Sequence, residues 1–184
     1  MAGNMKAVKL RIKSVQSTMQ ITKAMELVAS SKLRKAKERA ETCRPYFTEL
    51  HETLKDIARE NIDFSSVYAR ESSNPRYCYV AIAGDRGLAG GYNANLFKCL
   101  EAAAEGKDYV VLPIGKKAVE YFRQRGIECL TDKFAEIADI SVADCFEIAN
   151  LLCEEFRKGT FGHIELCYTC LLYTSPSPRD GLLS

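Results

Sequence analysis

The segment between Gly3 and Pro45 constrains the fold of this chain more than any other feature. It contains neither glycine nor proline, and alanine, lysine, methionine, leucine, glutamate and arginine dominate it. These residues have high helix propensities. The segment therefore predicts one long helix, on the order of 60 Å at about 1.5 Å per residue. A helix of that length is expected to project beyond a domain of this size as an arm.

Apolar residues recur along this segment at alternating steps of three and four residues. Ten of the twelve positions in the series are apolar, and the repeat is held for more than five heptads. Such a repeat is typical of a coiled-coil seam. The seam consists of Met5, Val8, Ile12, Val15, Met19, Thr22, Glu26, Ala29, Leu33, Ala36, Ala40 and Cys43.

The seam is interrupted by Thr22 and Glu26, where Ile21, Met25 and Val28 form a second apolar stripe. One interpretation is a helix that shifts its buried face along its length. The other is a helix that leaves one partner and meets another. The residues alone leave both interpretations open.

Charge is distributed unevenly along the chain. Residues 1–44 contain eleven basic and three acidic residues, whereas the remaining 140 contain 15 and 21. A basic arm favours an electronegative partner, which is nucleic acid, a membrane surface or an acidic protein face. The densest basic run lacks interleaved aromatic residues and a helix-turn-helix partner, which favours a solvated or protein-facing surface over nucleic acid. That run is Lys32, Arg34, Lys35, Lys37 and Arg39.

The cysteines and the amino terminus bear on the cellular compartment. Eight cysteines are scattered along the chain, and only Cys167 and Cys170 have Cys-x-x-Cys spacing. The first ten residues lack the apolar core of a signal peptide, and no apolar run approaches the roughly 20 residues that span a bilayer. We therefore expect a cytosolic protein with reduced, mostly buried thiols and no transmembrane segment.

The second half of the chain has the pattern of an α/β fold. Short apolar runs predict buried parallel strands at 77–83 and 109–114, with weaker candidates at 127–130 and 163–168. Helical patterns alternate with them at about 93–105, 116–125 and 141–157, the last with a capping box of Ser141 and Asp144. We predict a long helix at 1–60, a linker loop at 61–75 and a small Rossmann-like, doubly wound parallel sheet domain at 76–169.

The loop GDRGLAGGYNAN lies between a predicted strand and a predicted helix, where phosphate-binding loops occur. It lacks the register of G-x-G-x-x-G, and no Gly-Lys-Ser/Thr follows. A turn with close backbone packing is favoured, with a nucleotide site and a protein-contact surface as alternatives. Neither His51 nor His163 has an Asp or Ser spaced for a catalytic relay, so no catalytic, cofactor or metal site is predicted.

The last residues do not continue any pattern. The stretch CLLYTSPSPRD back-translates into a sequence that resembles the transposon-end adapter used in sequencing libraries. We interpret residues 170–184 as an adapter-derived, non-native tail, and we expect that the natural sequence stops near Thr169 and that whatever should follow it has been lost.

Two long motifs resemble the gamma subunit of bacterial ATP synthase. They are MAGNMKAVKLRIKSVQSTMQITKAMELVASSKLRKA and GDRGLAGGYNANLFK, in which Gly84 stands where the family usually has serine. The resemblance covers roughly residues 1–169. It marks the loop residues Asp85, Arg86, Gly87, Gly90, Gly91 and Asn93 as the family motif.

The resemblance implies a rotor shaft that turns inside a ring of alpha and beta subunits and couples proton-driven rotation to ATP synthesis or hydrolysis. It implies a non-catalytic chain without a cofactor, peripheral to the cytoplasmic face of the plasma membrane. The epsilon subunit and the membrane c-ring would be further partners. The residues that match the torque-transferring stretch are Ile21, Lys23, Met25, Val28, Lys32, Arg34 and Lys35.

The resemblance implies a second long helix that coils around the first, and we expect that the suspected adapter-derived tail has replaced it here. We therefore expect an exposed seam that frays or self-associates. A nucleotide-binding enzyme and a nucleic-acid-binding arm are the alternatives, but only the rotor shaft uses both the seam and the basic helix.

Overall fold

The structure is a computed structural model that describes residues 2–60, 67–68, 72–137 and 140–169. The chain divides into two compact units, residues 1–64 and 65–184. The predicted tail at 170–184 and most of the predicted linker at 61–75 lie outside the described residues.

In the first unit, the described residues form one helix, α1, at Ala2–Glu60. It confirms the predicted long helix and continues through Pro45, although proline cannot donate the helical hydrogen bond to residue 41. Every side chain described between residues 5 and 57 is exposed. The hydroxyl of Thr22, a polar residue in the seam, donates to the Thr18 carbonyl oxygen at 2.9 Å. The predicted coiled coil stays a prediction, because the described residues contain no second helix of comparable length.

The second unit contains a three-stranded parallel sheet. Its strands are β1 at Tyr77–Ile82, β2 at Tyr109–Ile114 and β3 at His163–Tyr168, in the order β2-β1-β3. Tyr77 is in register with Tyr109 on one side and His163 on the other. The weaker predicted strand at 127–130 was wrong, because this segment pairs with β2 only through an isolated bridge at Cys129.

Among the described residues of this unit, three α-helices cover the two faces of the sheet. They are α2 at Tyr92–Ala104, α3 at Lys116–Gln124 and α4 at Val142–Lys158. Neighbouring residues of β1 contribute to different clusters: Tyr79 packs with residues of α2 and α3, whereas Val80 packs in the cluster that includes side chains of α4. Helices on both faces of a parallel sheet confirm the predicted doubly wound α/β class.

The predicted capping box begins α4. The Ser141 hydroxyl accepts from the Asp144 backbone N–H at 3.3 Å, and the Asp144 carboxylate accepts from the Ser141 backbone N–H at 2.8 Å. Hydrogen bonds from the Ser141 side chain and then its backbone lower the pKa of Asp144. These bonds satisfy two amide groups that the first turn of a helix leaves without partners.

The expectation of mostly buried thiols was wrong. Seven described cysteines are free, but only Cys78 is buried, while Cys43, Cys99 and Cys145 are exposed. The exposed cysteines lie on helices, where a small residue on the outer face costs little. Burial raises the pKa of the Cys78 thiol to about 12.

Candidate functional site

The predicted contact residues on α1 are all exposed. The apolar members Ile21, Met25 and Val28 expose 59%, 58% and 58% of their surface, which is unusual for side chains of this type. Exposed apolar groups in a continuous row mark a surface that another molecule covers.

The helix divides the predicted residues between two sides. An α-helix turns by about 100° per residue, which places one group within an arc of about 80°. That group, named here the contact face, is Ile21, Met25, Val28, Lys32 and Lys35. The same rotation places Lys23 and Arg34 on roughly the opposite side of the helix. The sequence motif grouped seven residues, and the helix brings five of them together.

The contact face and the seam occupy different sides of α1. At about 100° per residue, the seam positions Thr22, Ala29 and Leu33 lie about 80° to 120° around the helix from Ile21. One helix can therefore pack against a partner along the seam and present the contact face to another molecule. This geometry favours the interpretation in which the helix meets two partners.

The basic residues among the predicted contact residues have little intramolecular charge compensation. Arg34 forms an ion pair with Glu38 at 3.6 Å, and both side chains are well exposed, so the pair is weak. Within the described ranges, Lys23, Lys32 and Lys35 form no ion pair. Their charges are available to an acidic surface.

The second candidate site is the loop after β1, where polar groups bond to the backbone of the domain. One oxygen of Asp85 accepts from the backbone N–H groups of Lys116 at 3.1 Å and Ile137 at 3.0 Å. The Asn93 side-chain oxygen accepts from the Gly84 backbone N–H at 2.9 Å. Asp85 thus joins the loop after β1 to the start of α3 and to the segment that precedes α4.

Close packing beside this loop depends on Gly115, which the sequence reasoning missed. Its φ is +93°, and a β-carbon there would lie 2.0 Å from the carbonyl oxygen of Ala83. Only glycine fits this approach. The signal in the sequence was a glycine that directly follows a predicted strand.

The tip of the loop points into solvent. Arg86 and Gly87 are exposed, and Leu88 is fully exposed with a φ of +61°. Positive φ is uncommon for a residue other than glycine. The loop therefore exposes a basic and an apolar side chain two positions apart, and this suits a contact with another protein.

Neither histidine lies in an arrangement typical of catalysis. His51 stacks on Phe47 with ring centroids 5.8 Å apart, and His163 stacks on Tyr77 at 4.7 Å. Within the part of the chain that the structure describes, no three His, Cys, Asp or Glu side chains converge as metal ligands would. None of the described helices is both long and apolar enough to cross a membrane.

Comparison with known proteins identifies the family. The family model described as ATP synthase matches residues 4–174. The ATP synthase gamma chain of Ruminococcus albus is 50% identical in an alignment of 173 residues that covers 91% of this chain and 60% of that protein. This chain belongs to the ATP synthase gamma chain family.

Two further gamma chains are similar over nearly the same extent. That of Alkaliphilus metalliredigens is 41% identical over 92% of this chain and 59% of its own length. The sodium ion specific gamma chain of Acetobacterium woodii is 36% identical over 95% of this chain and 58% of its own length. The chain thus spans about three fifths of the length of the curated gamma chains that it matches.

Proposed function

We propose that this chain acts in the central stalk of a rotary ATP synthase. It transmits rotation between a proton-translocating membrane ring and the catalytic ring of alpha and beta subunits, and it is not itself catalytic. The observation that carries this proposal is α1, a helix of 59 residues with an exposed contact face. Membership of the gamma chain family supports it.

Rotation can change a catalytic site only through contacts that differ between orientations of the shaft. Around α1 the surface changes from the apolar seam to the contact face and then to the side that carries Lys23 and Arg34. Each orientation would therefore present different chemistry to a given beta subunit. Ile21, Met25 and Val28 would supply apolar contact.

Electrostatic contacts would come from the basic residues. Lys32 and Arg34 would meet acidic surfaces of the beta subunits, with Lys23 and Lys35 as further charges. Such charges set the rate of association and the choice of partner more than they set affinity. The three lysines have no ion pair within the described ranges and would lose no internal partner on binding.

The α/β domain would face the epsilon subunit and the membrane c-ring. The exposed tip of the loop, with Arg86 and Leu88, is the feature of this domain that best suits such a contact. The chain would then lie at the cytoplasmic face of the plasma membrane as a peripheral protein.

Binding to a ring of alpha and beta subunits tests the proposal. The ring would be prepared from Ruminococcus albus, and affinity would be measured at about 50 mM and 200 mM salt. We expect binding that weakens with salt because screening shortens the reach of exposed charges. Replacing Lys32 and Lys35 with glutamine should weaken it about tenfold, equivalent to about 1.4 kcal/mol.

The control replaces Lys98 and Arg157 with glutamine, which removes the same charge from exposed positions of the α/β domain. We expect this variant to bind the ring as the unchanged chain does. No binding at either salt concentration, or equal weakening by both variants, would contradict the proposal.

A further inference from the structure

The two flanks of α2 face different neighbours. On one flank, the Phe97 ring stacks on Tyr121 of α3 with centroids 3.8 Å apart. On the same flank, the Glu101 carboxylate accepts from the Tyr121 hydroxyl at 2.5 Å. This flank therefore faces α3, and the opposite flank faces away from it.

The opposite flank lies toward β3. The Tyr92 carbonyl oxygen, at the start of α2, accepts from the hydroxyl of Thr169, which directly follows β3. Cys99 is seven residues after Tyr92, and at about 100° per residue the two differ by only about 20° around the helix. Cys99 is thus exposed on the flank that faces β3.

A second thiol lies on β3, on the side of the sheet that α2 covers. Cys167 packs against the cluster that contains Leu96 and Leu100 of α2. A helix that connects parallel strands runs antiparallel to them. The position of each thiol along α2 and β3 can therefore be measured from the two ends that the Tyr92–Thr169 hydrogen bond joins. Cys99 lies about 10 Å from the Tyr92 end of α2, and Cys167 lies about 7 Å from Thr169.

We propose that Cys99 and Cys167 form a thiol pair that closes a disulfide bond between α2 and β3 in the presence of a low-molecular-weight disulfide. The two elements pack against each other. Cys99 lies on the flank of α2 toward β3, and the positions of the two thiols along these elements differ by only about 3 Å. Burial, followed by the neighbouring Cys99 and Glu165, raises the pKa of Cys167 to about 11. Cys99 reacts first because it is the exposed thiol of the two and an external disulfide can reach it.

The reaction has two balanced steps. The Cys99 thiolate attacks one sulfur of the external disulfide, forms a mixed disulfide and expels one thiolate. Cys167 then loses its proton and attacks the Cys99 sulfur, which forms the Cys99–Cys167 bond and expels the second thiolate. Two protein thiols are oxidised, one external disulfide is reduced to two thiols, and the released thiolates take up the two protons.

The test uses the full chain and oxidised glutathione. Free thiols would then be blocked with N-ethylmaleimide, and unreduced peptides would be mapped by mass spectrometry. We expect a peptide pair that joins Cys99 to Cys167 and an upward shift of several degrees in the domain's melting temperature. A disulfide restricts the unfolded chain between its ends and so stabilises the folded state.

Two variants make the result specific. Cys99→Ser should lose both the linked peptides and the temperature shift. The double change Lys98→Cys with Cys99→Ala keeps an exposed thiol on α2 but turns it by about 100° away from β3, and it should form no link to Cys167. The proposal is overturned if Cys99 is recovered only as a glutathione adduct, or if the rotated thiol forms the link equally well.

Discussion

Replacing Asp85 with alanine removes the acceptor that connects three segments beside the carboxyl ends of the strands. One carboxylate oxygen accepts from the backbone N–H of Lys116 at 3.1 Å and from that of Ile137 at 3.0 Å. The first bond is exposed and the second is partly buried. The substitution should therefore loosen the start of α3 and the segment before α4.

The expected loss follows from these two bonds. A hydrogen bond to a charged group contributes about 1.5–3 kcal/mol net. Water can replace the exposed bond to Lys116, so we expect about 1 kcal/mol there and about 2 kcal/mol for the partly buried bond to Ile137. The free energy of unfolding of the α/β domain should fall by about 3 kcal/mol in total.

Urea unfolding followed by tyrosine fluorescence measures this change, because the chain has no tryptophan and β1 and β2 carry Tyr77, Tyr79 and Tyr109. With a slope of about 1.5 kcal/mol per molar urea, the midpoint should fall by about 2 M. Asp85→Asn keeps an oxygen acceptor and should lose less, about 1 kcal/mol.

The matched control is Arg86→Ala at the adjacent exposed position, which should change the free energy of unfolding by no more than about 0.5 kcal/mol. If Asp85→Ala were no less stable than this control, the Asp85 carboxylate would not hold these segments together.

Three further results are expected. In urea unfolding, Gly115→Ala should lower the free energy of unfolding by more than about 3 kcal/mol, because the new β-carbon would lie 2.0 Å from a carbonyl oxygen. The control is Gly126→Ala, at a position that also has positive φ but open space around it, and it should lose about 1 kcal/mol. The unchanged chain should be more stable than Asp144→Asn, with the whole difference present above a pH of about 4. This difference should disappear as the pH falls through the lowered pKa of Asp144, and urea unfolding at several pH values would measure it. Cys78, buried and with a pKa raised to about 12, should resist iodoacetamide at pH 8 in the folded chain while the exposed cysteines react, as mass spectrometry would record.

Local pattern predicted most of the secondary structure. The predicted strand at 109–114 has the same bounds in the structure, and α2 and α3 agree with their predictions to within one residue. The strand prediction at 127–130 was wrong because a short apolar run does not determine whether the edge of a neighbouring strand is available for pairing. The prediction that the cysteines are mostly buried was wrong because their burial depends on which side of each helix faces the sheet.

The candidate site shows the same division. The sequence motif grouped seven residues of α1, but it did not show on which side of the helix each residue lies. The rotation of the helix places Lys23 and Arg34 away from the contact face. The loop motif marked Asp85, but its hydrogen-bond partners are 31 and 52 residues away in sequence.

The sequence by itself determined the features that depend on neighbouring residues. The long helix follows from helix propensity, the strands from short apolar runs, and the cap of α4 from two residues three positions apart. Only the tertiary structure decided the close approach at Gly115, the hydrogen bonds of Asp85 and the placement of Cys99 and Cys167 on two packed elements. These depend on the register and packing of elements far apart in the chain, which many residues set together.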